Sequence, residues 1–324
     1  MTFLHLLKII KAGNYDCIHT HTTVPGMLGR LAGCLLRVKF IISTQAGFYF
    51  RETMPYWLRI LLLKAELLSL KQAHFVLCTG KEVYQLACLN GQNPRHRIIR
   101  LPGAQVDIKR FTFSIGEKSV RRARVRKELG IEEGDKVVIA VARLVKEKGC
   151  YEFVDAMHIL RKWDPKIKGI WVGDGPERKG VESKLGRLGL TDAVFYLGNR
   201  EDVADLLCAA DIFTLPSWGE GQPVAPIEAM AVGLPVVLTN VRGCREEVKE
   251  GVNGFLVPPR NPFALANAIW KILNEPSLSE NMGKEGQKIA GFYDIKYFLR
   301  TQMELYRELY RYITEEETNG RDKD

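Results

Sequence analysis

Glu220 and Glu228 stand eight residues apart on either side of a Gly- and Pro-marked segment, SWGEGQPVAPIEAMAVGLPVV, that begins at Ser217. Pro223 suits a first helical position and Pro226 the first turn, because a missing N–H breaks no internal hydrogen bond there. A helix is therefore predicted from about residue 223. The backbone N–H groups of Gly221, Gln222, Val224 and Ala225 then lie free at its start, where the helix dipole also favours an anion. Glu228 is the one carboxylate in an otherwise apolar helix, so it is expected to be buried and to need a partner. On these residues alone, Glu220 is equally a dipole or capping contact and Glu228 equally a structural pair with an arginine or a backbone N–H.

Other segments carry chemistry-bearing residues at predicted strand ends. VARLVKEKG, residues 141–149, projects Arg143 and Lys148, two cations able to grip a diphosphate. VGDGP, residues 172–176, contains Gly173, whose lack of a side chain permits close backbone approach, and LGNR, residues 197–200, contains Asn199 and Arg200. Turn chemistry alone explains each of these as well as binding does. His19 and His21 fall on one face of a predicted strand, and the segment TQAGFYF, residues 44–50, holds Gln45 and Gly47. No third ligand stands at a metal-binding spacing from the histidines, so no metal site is expected.

These residues need a scaffold. Short apolar runs rich in β-branched residues are predicted as strands at 15–20, 39–44, 74–78, 97–101, 137–142, 169–172, 194–197, 211–215, 235–239 and 254–257. Helical patterns alternate with them, the signature of parallel, doubly wound α/β sheets whose ligands sit at the strands' carboxyl ends. With 324 residues and 46% hydrophobic content, two domains are expected. The division is an N-terminal unit over 1–108, a basic linker over 109–127, a second unit over 128–293, a last helix over 294–313 that packs back across the domains, and a disordered tail over 314–324. Phe298, Leu299, Met303, Leu305, Tyr306, Leu309, Tyr310 and Ile313 form the apolar stripe of that helix.

Charge is unevenly placed: +8 over residues 1–108, +7 over 109–127 and −6 over the remainder. A basic front suits an anionic membrane surface or a phosphorylated acceptor, and a solvated basic linker explains it equally. Basic and aromatic residues do not interleave as a nucleic-acid surface requires. No uncharged run reaches the length of a membrane span. The start, MTFLHLLKIIKAG, is an amphipathic helix without a signal-peptide cleavage site, and the seven cysteines are scattered without CxxC spacing. Reduced thiols of a cytoplasmic protein, peripheral on the membrane face, are the expectation.

In the order RLxxxKG, VGDGPE, LGNR and EGxPxxxxEAMAxGxPVV, the chain resembles the nucleotide-sugar domain of family 4 retaining glycosyltransferases of the GT-B fold. The match is close over about 137–260, and His19, His21, PGMLGRLAG and LPGAQVDIKRF resemble the acceptor half. The resemblance implies two Rossmann-like domains with a cleft between them, the first incomplete. It further implies that Arg143 and Lys148 hold the donor diphosphate, Glu228 the ribose hydroxyls and Glu220 the transferred sugar. Gly221, Gln222, Pro223 and Val224 would complete the cradle, with Gly173 also among the donor-binding residues and Asn199 and Arg200 near the base. The donor would be a nucleoside-diphosphate sugar, a UDP-sugar first, and the acceptor a lipid-linked or polysaccharide chain of a cell-surface glycan. No cofactor and no metal are implied.

The chain departs from the family pattern in two places. It starts in a helix that should follow at least one earlier βα unit, so truncation, a misplaced start or completion by a second polypeptide is expected. Ala46 stands where the family usually has a histidine beside Gly47, leaving His19, His21 or Gln45 to replace that acceptor-side contact. A donor-binding subunit without activity of its own is the alternative these departures raise.

Overall fold

The structure, a computed structural model, describes residues 2–47, 54–89, 97–101 and 105–321. Phe48, Tyr49, Phe50 and the Pro102-Gly103-Ala104 part of LPGAQVDIKRF lie outside the described residues.

The first unit runs α1 (Phe3–Gly13), β1 (Cys17–His21), α2 (Val24–Leu35), β2 (Phe40–Gln45), α3 (Tyr56–Leu70), β3 (Phe75–Thr79), α4 (Lys81–Cys88) and β4 (Arg97–Leu101). Its strands pair in parallel in the order β1-β2-β3-β4. A 3-10 turn, Ile108–Phe111, leads to α5 (Ile115–Glu128) and β5 (Lys136–Val141). After the 3-10 turn Lys146–Lys148 come α6 (Cys150–Trp163), β6 (Ile167–Val172), α7 (Arg178–Leu188), β7 (Val194–Tyr196), α8 (Val203–Ala209) and β8 (Ile212–Leu215). The chain continues through α9 (Ala225–Val232), β9 (Val236–Thr239), α10 (Arg242–Glu247), β10 (Gly254–Val257), α11 (Pro262–Asn274), α12 (Pro276–Gly291) and α13 (Ile295–Arg321). The second sheet is also parallel, ordered β10-β9-β8-β5-β6-β7.

Strand alternation builds the second unit. Val137, Ile139 and Phe213 point to one core, together with α8 and α9 residues, while Val138, Ala140 and Ile212 point to the other, with α6 and α11 residues. Because both faces are covered, these strands read in sequence as unbroken apolar runs.

Three expectations change. Residues 109–127 do not form a linker: Ser114 and Glu117 make a reciprocal capping box that starts α5, and the helix lies on α8. Its arginines are spent internally. Arg121 and Arg124 pair with Asp205, Arg122 and Arg126 pair with Asp211 at 2.7 and 3.0 Å, and Arg126 also donates to the carbonyls of Ala209, Glu132 and Asp135. Polar burial replaced an apolar stripe, which is why periodicity missed the helix. The last helix also extends past Ile313 to Arg321, through Glu315, Glu316 and Glu317, of good helix propensity, so the expected tail over 314–321 is helical in the backbone. Its stripe is only partly used: Phe298 and Leu305 are buried against Phe40, Ile42, Leu77 and Leu101 of the first sheet, whereas Leu299, Met303 and Tyr310 are exposed. No helix among the described residues is long and apolar enough to cross a membrane.

Candidate active site

Parallel strands place the loops after β5, β6, β7 and β8 at one edge of the second sheet. The loop after β5 bends back so tightly that Gly149 takes φ +74°, and a side chain there would strike the Pro216 carbonyl oxygen at 2.0 Å. That close approach brings the turn Lys146–Lys148 against the segment that follows β8. Lys148 Nζ consequently binds both oxygens of Glu220, at 2.6 and 2.7 Å. Glu220 is nearly buried, with a side chain 7% exposed. Arg143, on the same loop, is exposed and its guanidinium forms no ion pair among the described residues, so it remains available to an anion.

Helix α9 begins at Ala225, not at Pro223, with Val224 as its uncapped first flanking residue. Pro223 is buried just ahead of the helix, and Pro226 occupies its first turn. Ile227 and Glu228 already donate to the Val224 carbonyl. The N–H groups of Gly221, Gln222, Val224 and Ala225 donate to nothing among the described residues, and all four precede or open the helix, as an anion cradle requires. Glu228 lies in the first turn and is half-buried rather than sealed. Burial pushes its carboxyl above the usual range, and the charge of Arg110 opposes that rise. Arg110 comes from the turn Ile108–Phe111, which packs on α9; sequence reasoning required a counter-charge for Glu228 without finding this one.

At β6 and β7 the backbone is stitched together. Gly173, at φ +128°, donates to the Gly198 carbonyl at 2.7 Å, and a side chain there would meet the Ala142 oxygen at 2.1 Å. Asn199 accepts from the Asp174 N–H at 3.2 Å. Arg200 holds both oxygens of Asp202, each at 2.8 Å, and one of Glu128 at 3.0 Å, which raises its pKa. Asn199 and Arg200 thus shape the rim while already holding protein partners.

The first unit faces this edge through Ala46 and Gly47. A methyl group on Gly47 would stand 4.0 Å from Gly221 Cα, and one on Gly221 would stand 3.2 Å from the Ala46 oxygen. Gln45 does not join them: it is fully buried and donates to Glu66 at 2.9 Å, within a network in which Arg30 binds Glu66, Ser43 and Ser69. His19 and His21 do lie together, with rings 4.2 Å apart. His19 Nε2 meets Thr44 Oγ1 at 2.7 Å, and Nδ1 meets the Tyr306 hydroxyl of α13 at 2.6 Å. Burial first, and the neighbouring His21 second, lower the His19 pKa to about 4, so the imidazole is neutral at pH near 7.

Contacts across the cleft fix how the units meet. Glu246 of α10 accepts from the N–H groups of Lys81 and Glu82 at the start of α4, at 2.7 and 2.9 Å. Arg242 and Arg245 both pair with Glu82. None of these residues was singled out in the sequence, because nothing local distinguishes them from solvated charges. Among the described residues no group of three or more His, Cys, Asp or Glu could hold a metal ion.

Comparison with known proteins agrees with this fold. A galactosyltransferase of Escherichia coli, named as acting on α-D-GlcNAc-diphosphoundecaprenol with UDP-Gal, is 27% identical over 281 residues, covering 86% of this chain and 71% of its own. An N-acetylgalactosaminyltransferase of Campylobacter jejuni, named for a diphospho-undecaprenol acceptor, is 28% identical over 309 residues, covering 94% and 80%. The fold is shared with HepE of Anabaena, solved with UDP and glucose, at a TM-score of 0.78 and 24% identity over 93% of this chain and 80% of that one. The Glycosyltransferase Family 4 profile matches residues 2–103, and the profile of Glycosyl transferases group 1 matches residues 121–289. With the two parallel sheets and the matched profiles in agreement, the chain belongs to the glycosyl transferases group 1 family and is a glycosyltransferase of the GT-B fold.

Proposed function

We propose that this glycosyltransferase moves a sugar from a UDP-sugar to a lipid-linked or polysaccharide acceptor with retention of anomeric configuration. The observation that carries the reading is the Lys148–Glu220 pair, set beside four unengaged N–H groups and opposite Gly47 across the cleft. When the bond between the anomeric carbon and the diphosphate oxygen breaks, negative charge grows on the departing diphosphate. Lys148, Arg143 and the start of α9 supply the answering positive potential. Glu220, released by Lys148, accepts hydrogen bonds from hydroxyls of the sugar, and Glu228 accepts them from the ribose. Protein cations and the helix end thus provide the counter-charge that a divalent ion provides in metal-dependent transferases, and neither metal nor cofactor is needed.

The relatives that act on undecaprenyl-diphosphate-linked sugars support a membrane-borne acceptor. The basic residues of the N-terminal unit support an anionic membrane surface as its setting, at the cytoplasmic face. In α5, Arg121 and Arg124 share Asp205 and Arg122 and Arg126 share Asp211, so part of that helix's positive charge is answered within the protein.

The test is transfer: the full chain is incubated with UDP-sugars and an undecaprenyl-diphosphate-linked sugar in lipid vesicles, and the anomeric configuration of the product is read by NMR. An α-linked product from an α-linked donor is expected, and an inverted product would refute retention. A second reading rests on Ala46, which offers the cleft only a backbone carbonyl. In it the chain binds donor and needs a second polypeptide for turnover, and transfer by the chain alone would dismiss it.

A further inference from the structure

Beneath the loop that carries Glu220 lies a carboxyl group that no described residue answers. Glu247 closes α10, is 0% exposed, and neither of its oxygens has a hydrogen-bond partner. It stands on the side of α10 that meets the active site. Gly243, one helical turn earlier and on the same face, donates its N–H to the Glu220 carbonyl at 3.3 Å. The face formed by Gly243 and Glu247 is therefore the floor on which the Glu220 loop rests.

The ionisable groups around Glu247 and its buried neighbour Cys244 are Glu220 from the loop, Glu246 and Arg245 from α10, Lys148 from the turn after β5, and Tyr293 ahead of α13. Neither cation is free for it. Arg245 reaches across to Glu82, and Lys148 is held by Glu220. A buried carboxylate without a counter-charge or donors is strongly disfavoured, and the group keeps its proton instead. Burial, with Glu220 and Glu246 nearby, pushes the Glu247 carboxyl well up from its usual range.

We propose that Glu247 is a positioning residue of the donor site that works as an uncharged carboxylic acid. By keeping its proton it leaves Lys148 with one carboxylate to hold, Glu220, so that the lysine can exchange Glu220 for a diphosphate. The inference rests on the donor-site reading of Lys148 and Glu220. Were Glu247 ionised, a second negative charge behind Glu220 would tighten the lysine and repel the incoming anion, a change in affinity on the order of tenfold.

Two measurements on the full-length chain test this. Infrared spectra without ligand, compared between the wild type and Glu247→Gln at neutral pH, are expected to show a protonated-carboxyl C=O band that the variant lacks. Absence of that band overturns the proposal whether or not donor binds. UDP titrations of both proteins from about pH 7 to about pH 10 give a ratio of dissociation constants in which titration of the ligand cancels. That ratio, wild type over variant, is expected near one wherever the protonated-carboxyl band persists and to rise about tenfold where raising the pH removes the band. A tenfold ratio where the band is present, or a ratio near one where the band has been lost, overturns the proposal. If the band is present and neither protein binds UDP, the donor-site reading falls and the positioning role falls with it, while the proton on Glu247 stands.

Discussion

Lys148 and Glu220 satisfy each other, so each masks the other until a ligand intervenes. Charge-assisted hydrogen bonds to a diphosphate contribute roughly 1.5–3 kcal/mol. Lys148→Ala is accordingly expected to weaken UDP binding by about tenfold to a hundredfold in calorimetric titration, and to leave Glu220 nearly buried without its cation. In the first unit, His19 is neutral because burial lowers its pKa to about 4. The unfolded chain takes up that proton near pH 6.5 and the folded chain does not, so stability contributed by His19 is complete above about pH 6.5 and falls as pH drops toward 4. Thermal denaturation of His19→Gln is expected to show less loss of stability over that window than the wild type does. An equal loss in both would remove His19 from the account. The sequence marked all three residues, Lys148, Glu220 and His19, by type and spacing. It did not mark Gln45 as internal, because only the tertiary fold places Glu66 beside it.

At the scale of elements, all ten predicted strands are present, each within about two residues of its expected bounds. Parallel sheets covered on both faces leave a strong apolar signature, and the Gly- and Pro-marked loops at their ends carried the site with them. Helix α5 left no such signature, since its inward face is built from Arg122, Arg126 and Val125 rather than from a run of leucines. Arg126 shows what that design costs. Its guanidinium, almost wholly buried, serves Asp211 and three backbone carbonyls at once. Arg126→Ala would strand those acceptors and is expected to destabilise the protein by about 3 kcal/mol, seen as a lower urea midpoint, with UDP affinity unchanged in the fraction that remains folded. A midpoint within error of the wild type would show that α5 is held by something else.

Across the whole molecule, the two sheets are joined by contacts that no local pattern announces. His19 and Tyr306 are 287 positions apart in the chain, and Glu246 lies 165 positions from the Lys81 N–H it accepts from. Such pairs exist only because α13 returns to the first sheet and α10 abuts α4, which is why the two sheets were legible and their docking was not. Glu246→Ala removes the acceptor for both N–H groups at the start of α4 and is expected to loosen the closed arrangement. Turnover should fall severalfold while UDP affinity stays within about twofold, because the proposed donor loops belong to the second unit alone. A parallel fall in UDP affinity would place Glu246 in the donor site instead. The central claim concerns that second unit, where Lys148, Glu220, Glu228 and the start of α9 form the seat of a nucleoside-diphosphate sugar. Isothermal titration of UDP into the wild type and into Glu228→Ala tests it most directly: the account predicts saturable binding by the wild type and a loss of about tenfold in the variant, and no binding by the wild type, or equal binding by both, would contradict it.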